Sequence, residues 1–282
     1  MTTVRHVLTA SATLSVLAAL TFAAAMPACG NTGFERVHFR ASVGGVAHEG
    51  ETLTFETRAG WTVTLERARL AIGPIYFNTI VPLQSHATGD LHRGWRSWFV
   101  PIASANGESH IGQGRIVGEI TEQLEVDVLS PTLQTFSRDG IGLSEPVASV
   151  ELWLYNRASL DNAVATVAGT ARRGELVVPF VGQFAMDPAD ATTEQPLDSL
   201  RRIRGIAAPM TLSEGASVTL RVDLRPAFAN ADFSELTAHT RDREGRYRFA
   251  RGDNVFASFQ AGLRSTQGTW NVSFTAPSTT TR

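Results

Sequence analysis

Apolar and polar side chains alternate along most of this chain, and the alternation breaks at glycine, asparagine, aspartate and proline. Residues 51–56 (ETLTFE) set Leu53 and Phe55 on one side and threonines on the other. Trp61, Val63 and Leu65 share a face in the next run, WTVTL. The same period recurs in 147–155 (VASVELWLY), 163–170, 175–184, 217–224 (SVTLRVDL) and 269–275 (TWNVSFT). Period-two patterning over four to eight residues predicts half-buried strands. Ala59-Gly60, Asp139-Gly140, Arg173-Gly174 and Glu214-Gly215 lie between the runs and predict turns. Many short strands with such punctuation predict an all-β fold, built as an antiparallel β-sandwich.

Helical periodicity is confined to short pieces. Residues 226–236 (PAFANADFSEL) and 254–264 (NVFASFQAGLR) each predict two or three turns, and 197–204 a further short one. In the second, Asn254 suits an N-cap, and Val255, Phe256 and Phe259 form an apolar face. The folded body is expected to be one domain over 34–277; residues 157–162 are where two smaller sandwiches would divide. The tail 278–282 is expected to be disordered. Residues 78–113 fit no strand, and a connection this long in a domain is usually functional or disordered. Trp95, Trp98, Phe99 and Val100 favour burial, so an ordered loop excursion is expected there.

Residues 1–28 depart from the strand pattern altogether. Arg5 precedes an uncharged run over 7–25, and small residues lead into Cys29. This layout is that of an export signal peptide. The run is long enough for a membrane helix, the alternative reading, but Ser and Thr dilute it. Cys29 is the only cysteine. Met26-Pro27-Ala28-Cys29-Gly30 resembles the lipobox of bacterial lipoproteins, with Met26 where that family usually has Leu. The resemblance implies cleavage before Cys29, lipid on its sulfur, a tether over 29–33 and attachment to a membrane. Gly30, in place of an inner-membrane-retaining Asp, implies the outer membrane, with the domain on its periplasmic or its surface face. Ordinary signal-peptidase cleavage near Ala25 or Ala28 is the other outcome and leaves a free thiol.

Charge narrows the partners. The chain has 25 basic and 27 acidic residues, and no lysine. A slightly acidic chain without a basic cluster argues against nucleic acid. Three of the seven histidines, His86, His92 and His110, fall in the excursion beside Asp90. Imidazole and carboxylate are ligands for Zn or Cu, although this spacing matches no established metal motif and is also that of a polar surface loop. Trp95 and Trp98 offer flat rings to a small ligand or pack the loop onto the sheet. Glu119, Glu122, Glu125 and Asp127 supply the carboxylates that an envelope hydrolase needs, or the solvated face of a strand. The glycines of 112–118 (GQGRIVG) lack the strand-turn-helix context of a phosphate loop and predict strand bends instead. The run 187–194 (DPADATTE) has oxygens enough for calcium without EF-hand spacing.

Gly60-Trp61-x-Val63, Gly73-Pro74-Ile75-Tyr76-Phe77, the histidine-bearing loop, Gly118-Glu119 and Asp127-Val128-Leu129 resemble uncharacterised exported lipoproteins of myxobacteria and related bacteria. That resemblance covers 34–155 and implies an exported β-rich domain; it carries over no catalytic residue. The expectation is a lipid-anchored binding or structural module of the cell envelope, with a hydrolase or a passive adhesion component as alternatives.

Overall fold

Alternation in the sequence becomes alternation in burial. A computed structural model describes residues 34–81, 115–188, 191–192 and 196–277. β1 (Arg36–Gly45) buries Val37, Phe39, Ala41 and Val43 and turns Arg36, His38 and Arg40 outward. Down the chain follow β2 (Leu53–Glu56), β3 (Thr62–Ile72), β4 (Ile75–Asn78), β5 (Ile116–Ile120), β6 (Leu124–Asp127), β7 (Gln134–Thr135) and β8 (Gly140–Leu143). β9 (Pro146–Trp153), β10 (Ala165–Arg173), β11 (Leu176–Phe184), β12 (Arg202–Thr211), β13 (Ala216–Val222), β14 (Tyr247–Arg248) and β15 (Trp270–Thr275) complete the strands. Two α-helices accompany them among the described residues, α1 (Leu197–Arg201) and α2 (Asn254–Leu263). The fold is all-β.

The larger sheet runs β12-β9-β4-β5-β8-β1-β13-β15, with β7 also beside β1. β15 comes alongside β12, so this sheet nearly closes on itself like a barrel. The smaller sheet runs β14-β11-β10-β3-β2, with β6 beside β3. The expectation of antiparallel sheets is corrected at two places: β1 pairs with β13, and β11 with β14, in parallel. Long connections, not hairpins, join these pairs, and only a tight hairpin forces antiparallel direction. Residues from Glu35 onward form one compact unit. The β1–β13 and β3–β10 pairings both cross position 158, so a cut there separates neither sheet cleanly.

One apolar core draws on both sheets. Trp61, Val63 and Leu65 are fully buried, as their shared face predicts. Phe180, Phe228, Phe233, Phe249 and Phe259 pack around each other, with ring centroids as close as 4.9 Å for Phe228 and Phe259. α2 contributes Val255, Phe256, Phe259 and Leu263 to this core. Its N-cap is Asp253, one residue before the expected Asn254. Asn254 instead accepts from the Asp232 amide and gives its own N–H to Glu235. The helix expected over 226–236 breaks into short 3-10 turns at Pro226–Phe228 and Ser234–Ala238. Asp232 accounts for the break, because its carboxylate takes both the amide and the hydroxyl of Ser234 and holds a local turn there. The short turn expected over 197–204 stops at Arg201 and passes directly into β12.

Gly118, drawn from the glycine-rich run, lies opposite Gly142 on adjacent strands. A Cβ at Gly118 would sit 2.6 Å from Cδ1 of Leu212, and one at Gly142 would sit 2.7 Å from it. Close packing against Leu212 inside the larger sheet explains Gly118 and Gly142, in place of the bend expected at Gly118, while Gly112 and Gly114 lie outside the described residues.

Candidate functional site

Cys29, the signal-like segment, His86, Asp90, His92, Trp95, Trp98, His110 and the tail 278–282 lie outside the described residues. Among the described residues, no three or more His, Cys, Asp or Glu side chains converge as a metal site. No described helix is long and apolar enough to cross a membrane.

Of the four carboxylates named for hydrolysis, Glu122, Glu125 and Asp127 are each engaged in a different place. Glu122 takes the Ser137 hydroxyl and amide at 2.7 Å and the Arg138 amide at 3.2 Å. The Ser137 hydroxyl above all, with these amides, holds its carboxyl below the ordinary glutamate range. Glu125 pairs with Arg69 at 3.1 Å and takes the Ser159 hydroxyl. Asp127 takes the Leu129 amide and so fixes the turn after β6. Glu119 stands exposed on β5, in the other sheet. No hydrogen bond joins any two of the four among the described residues.

A different cluster stands on the outer face of the larger sheet, and strand register builds it. Every second residue at the end of β9 points outward, which places Glu151, Trp153 and then Tyr155 on one side. β4 sets Tyr76 opposite Glu151, and β12 sets Arg202 opposite Trp153. The Trp153 and Tyr155 rings are parallel within 7°, with centroids 5.6 Å apart. The Arg202 guanidinium lies 4.1 Å from the Trp153 ring centre, and that of Arg201 lies 5.0 Å from the Tyr155 centre. Contact therefore runs Arg202, Trp153, Tyr155, Arg201, cation and ring in series.

Glu151 ties this series together from below. It accepts from Trp153 Nε1 at 2.9 Å and lies 3.2 Å from Arg204 Nε and 3.9 Å from Arg202 Nε. Two guanidiniums, those of Arg202 and Arg204, thus share the Glu151 carboxylate. The remaining neighbour, Asp198, is 3.7 Å from Arg201 and mostly in water. The Nε atoms of Arg201, Arg202 and Arg204 are buried and make no hydrogen bond of good geometry among the described residues, although Arg202 and Arg204 are ion-paired with Glu151 and Arg201 with Asp198. Burial, and then the charges of Glu119 and Glu151, push the Tyr76 phenol above its ordinary value, so it stays protonated and able to donate. Tyr155 is raised as well, chiefly by burial.

The arginines are 24%, 29% and 33% exposed at 201, 202 and 204, so their outer ends reach water while their stems are fixed. Such a face can take hydrogen-bond acceptors on its guanidinium ends and apolar surface on its ring edges. Its sequence signals are the W-x-Y of 153–155 at the end of β9 and the Arg-Arg-x-Arg of 201–204, whose local patterns alone predict a strand and a short turn.

Searches against protein families, curated proteins and solved structures each returned no match to this chain. The functional reading accordingly rests on residues and geometry.

Proposed function

We propose that this chain is a binding module of a bacterial cell envelope, carried on the outer membrane by lipid at Cys29. The resemblance of residues 26–30 to a lipobox supports the tether. Two or three acyl chains there, at about 0.8 kcal/mol for each buried methylene, hold a protein on a bilayer. The single observation that favours binding as its work is the Arg202-Trp153-Tyr155-Arg201 series, half-buried and rigid on the sheet's outer face. Rings and arginines of this kind are the side chains that dominate binding surfaces.

In this reading the two sheets are the layers of a sandwich whose larger member curls toward closure. The excursion 85–113 is a second contact region, with His86, His92, His110 and Asp90 available to Zn or Cu and Trp95 and Trp98 lining it. Labelling cells with radioactive palmitate tests the tether: label on the wild-type chain and none on Cys29→Ala, which moves to the soluble fraction, is the expected result. An unlabelled wild-type chain refutes it. For the excursion, the expected result is zinc uptake at a fixed stoichiometry that the triple change His86→Ala, His92→Ala, His110→Ala removes.

A further inference from the structure

Resting on the lipid tether at Cys29, we infer that the end of the larger sheet at which β1 begins lies on the bilayer, with Ile80, Val81 and Ile116 entering the headgroup layer. Strand register builds this end. β1 begins beside the last residue of β8, through Arg36 and Leu143. β8 lies beside β5 through Gly142 and Gly118, so β5 starts at the same end. β4 finishes there too, with Asn78 opposite Ile116, and one step further out the Thr79 amide donates to the Arg115 carbonyl at 3.1 Å. The Ser149 hydroxyl donates to the Ile80 carbonyl and so holds the backbone where β4 leaves the sheet. Ile80, Val81 and Ile116 are 38%, 52% and 55% exposed at this rim.

Tether length decides what meets them. Six peptide steps separate Cys29 from Glu35, a reach of at most about 21 Å even when fully extended. β1 itself, with ten residues, is about 33 Å long. The end carrying the three aliphatic side chains is thereby held near the bilayer. The far end of β1, where Leu133 precedes the Gln134–Val43 pair, stands away from it. Aliphatic side chains grouped on a surface mark a partner, and a lipid interface takes such groups to a depth of about 5–10 Å. Charge at this end is balanced: Arg115 pairs with the buried Glu145, Glu214 lies beside His38, and Glu35 adjoins Arg36. The contact is therefore apolar and indifferent to headgroup charge.

The test labels new thiols on the full lipidated chain, whose own Cys29 sulfur is blocked by lipid. Val81→Cys, Ile116→Cys and Leu133→Cys each carry a nitrobenzoxadiazole fluorophore and are reconstituted in phosphatidylcholine vesicles with and without nitroxide-bearing phosphatidylcholine. Labels at 81 and 116 are expected to be quenched several-fold more than the label at 133. Adding anionic phosphatidylglycerol is expected to leave that quenching unchanged. Val81→Asp with Ile116→Asp is expected to lower the quenching of a label at Ile80→Cys to the level of Leu133→Cys. Circular dichroism melts establish that each variant is folded. Equal quenching at 81, 116 and 133, an aspartate variant without effect, or quenching that rises with anionic lipid overturns the inference. Labels at 81 and 116 that are blue-shifted but unquenched overturn it too, since protein then covers them, either residues 82–114 of this chain or a second copy. Unquenched labels on a palmitate-labelled chain remove the inference and leave the tether standing, whereas a wild-type chain without palmitate removes both.

Discussion

Two aromatic clusters of this protein are built from similar rings and are put to opposite uses. Inside, Trp61, Phe180, Phe228, Phe233 and Phe249 pack together in the buried core; Trp61 gives its Nε1 hydrogen to Asp232 at 3.0 Å and meets one cation, Arg173, 4.5 Å from the ring centre. Outside, Trp153 and Tyr155 stack between the guanidiniums of Arg202 and Arg201, which pair with Glu151 and Asp198 at the water boundary. The inner cluster spends its rings on burial; the outer one presents cations on a rigid aromatic mount. Aromatic density alone therefore says little about role. Exposure and the polar partner decide.

The sharpest test of this contrast lies in the core. Phe233→Ala is expected to cost about 3–5 kcal/mol, the range for deleting a fully buried ring, read as a lower denaturant midpoint. Asp232→Ala is expected to cost about 1–2 kcal/mol, because it strands the Trp61 N–H that the carboxylate now accepts. That contribution depends on pH. Burial alone would raise Asp232, but the Ser234 amide and hydroxyl and the Trp61 N–H outweigh it, holding the folded value below the ordinary 3.8. Stability from this group is thus fully present above pH 3.8 and lost as pH falls through the lower folded value. Acid unfolding of Asp232→Ala is expected to be less steep than that of the wild type over this interval.

Outside, Trp153→Ala is expected to cost about 1 kcal/mol, from one stacked pair and one cation–π contact at a half-exposed site. A loss as large as that of Phe233→Ala would collapse the distinction, making the outer series another part of the core. The smallest expected effect is spectroscopic. Tyr76 is expected to ionise above the ordinary tyrosine value of 10.0 in an ultraviolet titration. Glu119→Gln is expected to bring it only part of the way back, since burial is the larger cause.

Much of the fold was legible because alternation and burial coincide in most strands. The faces of Trp61, Val63 and Leu65, and of Val255, Phe256 and Phe259, lie where their spacing puts them. β12 was not legible. Its pairing with β9 slips between Ile203 and Ile206 and again between Ala207 and Met210, and each irregularity breaks the period-two pattern. β1 alternates cleanly, yet it sits next to the signal-like segment and ends in Gly44-Gly45, which reads as a turn. The outer cluster was hidden for a different reason: Trp153 and Arg202 meet only through cross-strand register, which no local window contains. The excursion's histidines crowd together in sequence, a property that carries no geometry.

The parallel pairing of β1 with β13 sets an order of events for a chain made from its N-terminus. Phe39 to Gly45 find their partners at Ala216 to Val222, so this seam stays unzipped until most of the polypeptide has emerged. Until then β1 exposes a bare edge able to recruit strands from neighbouring copies. Truncations that stop short of β13 are therefore committed to clumping, while a chain threaded unfolded through a narrow channel gains time before it locks.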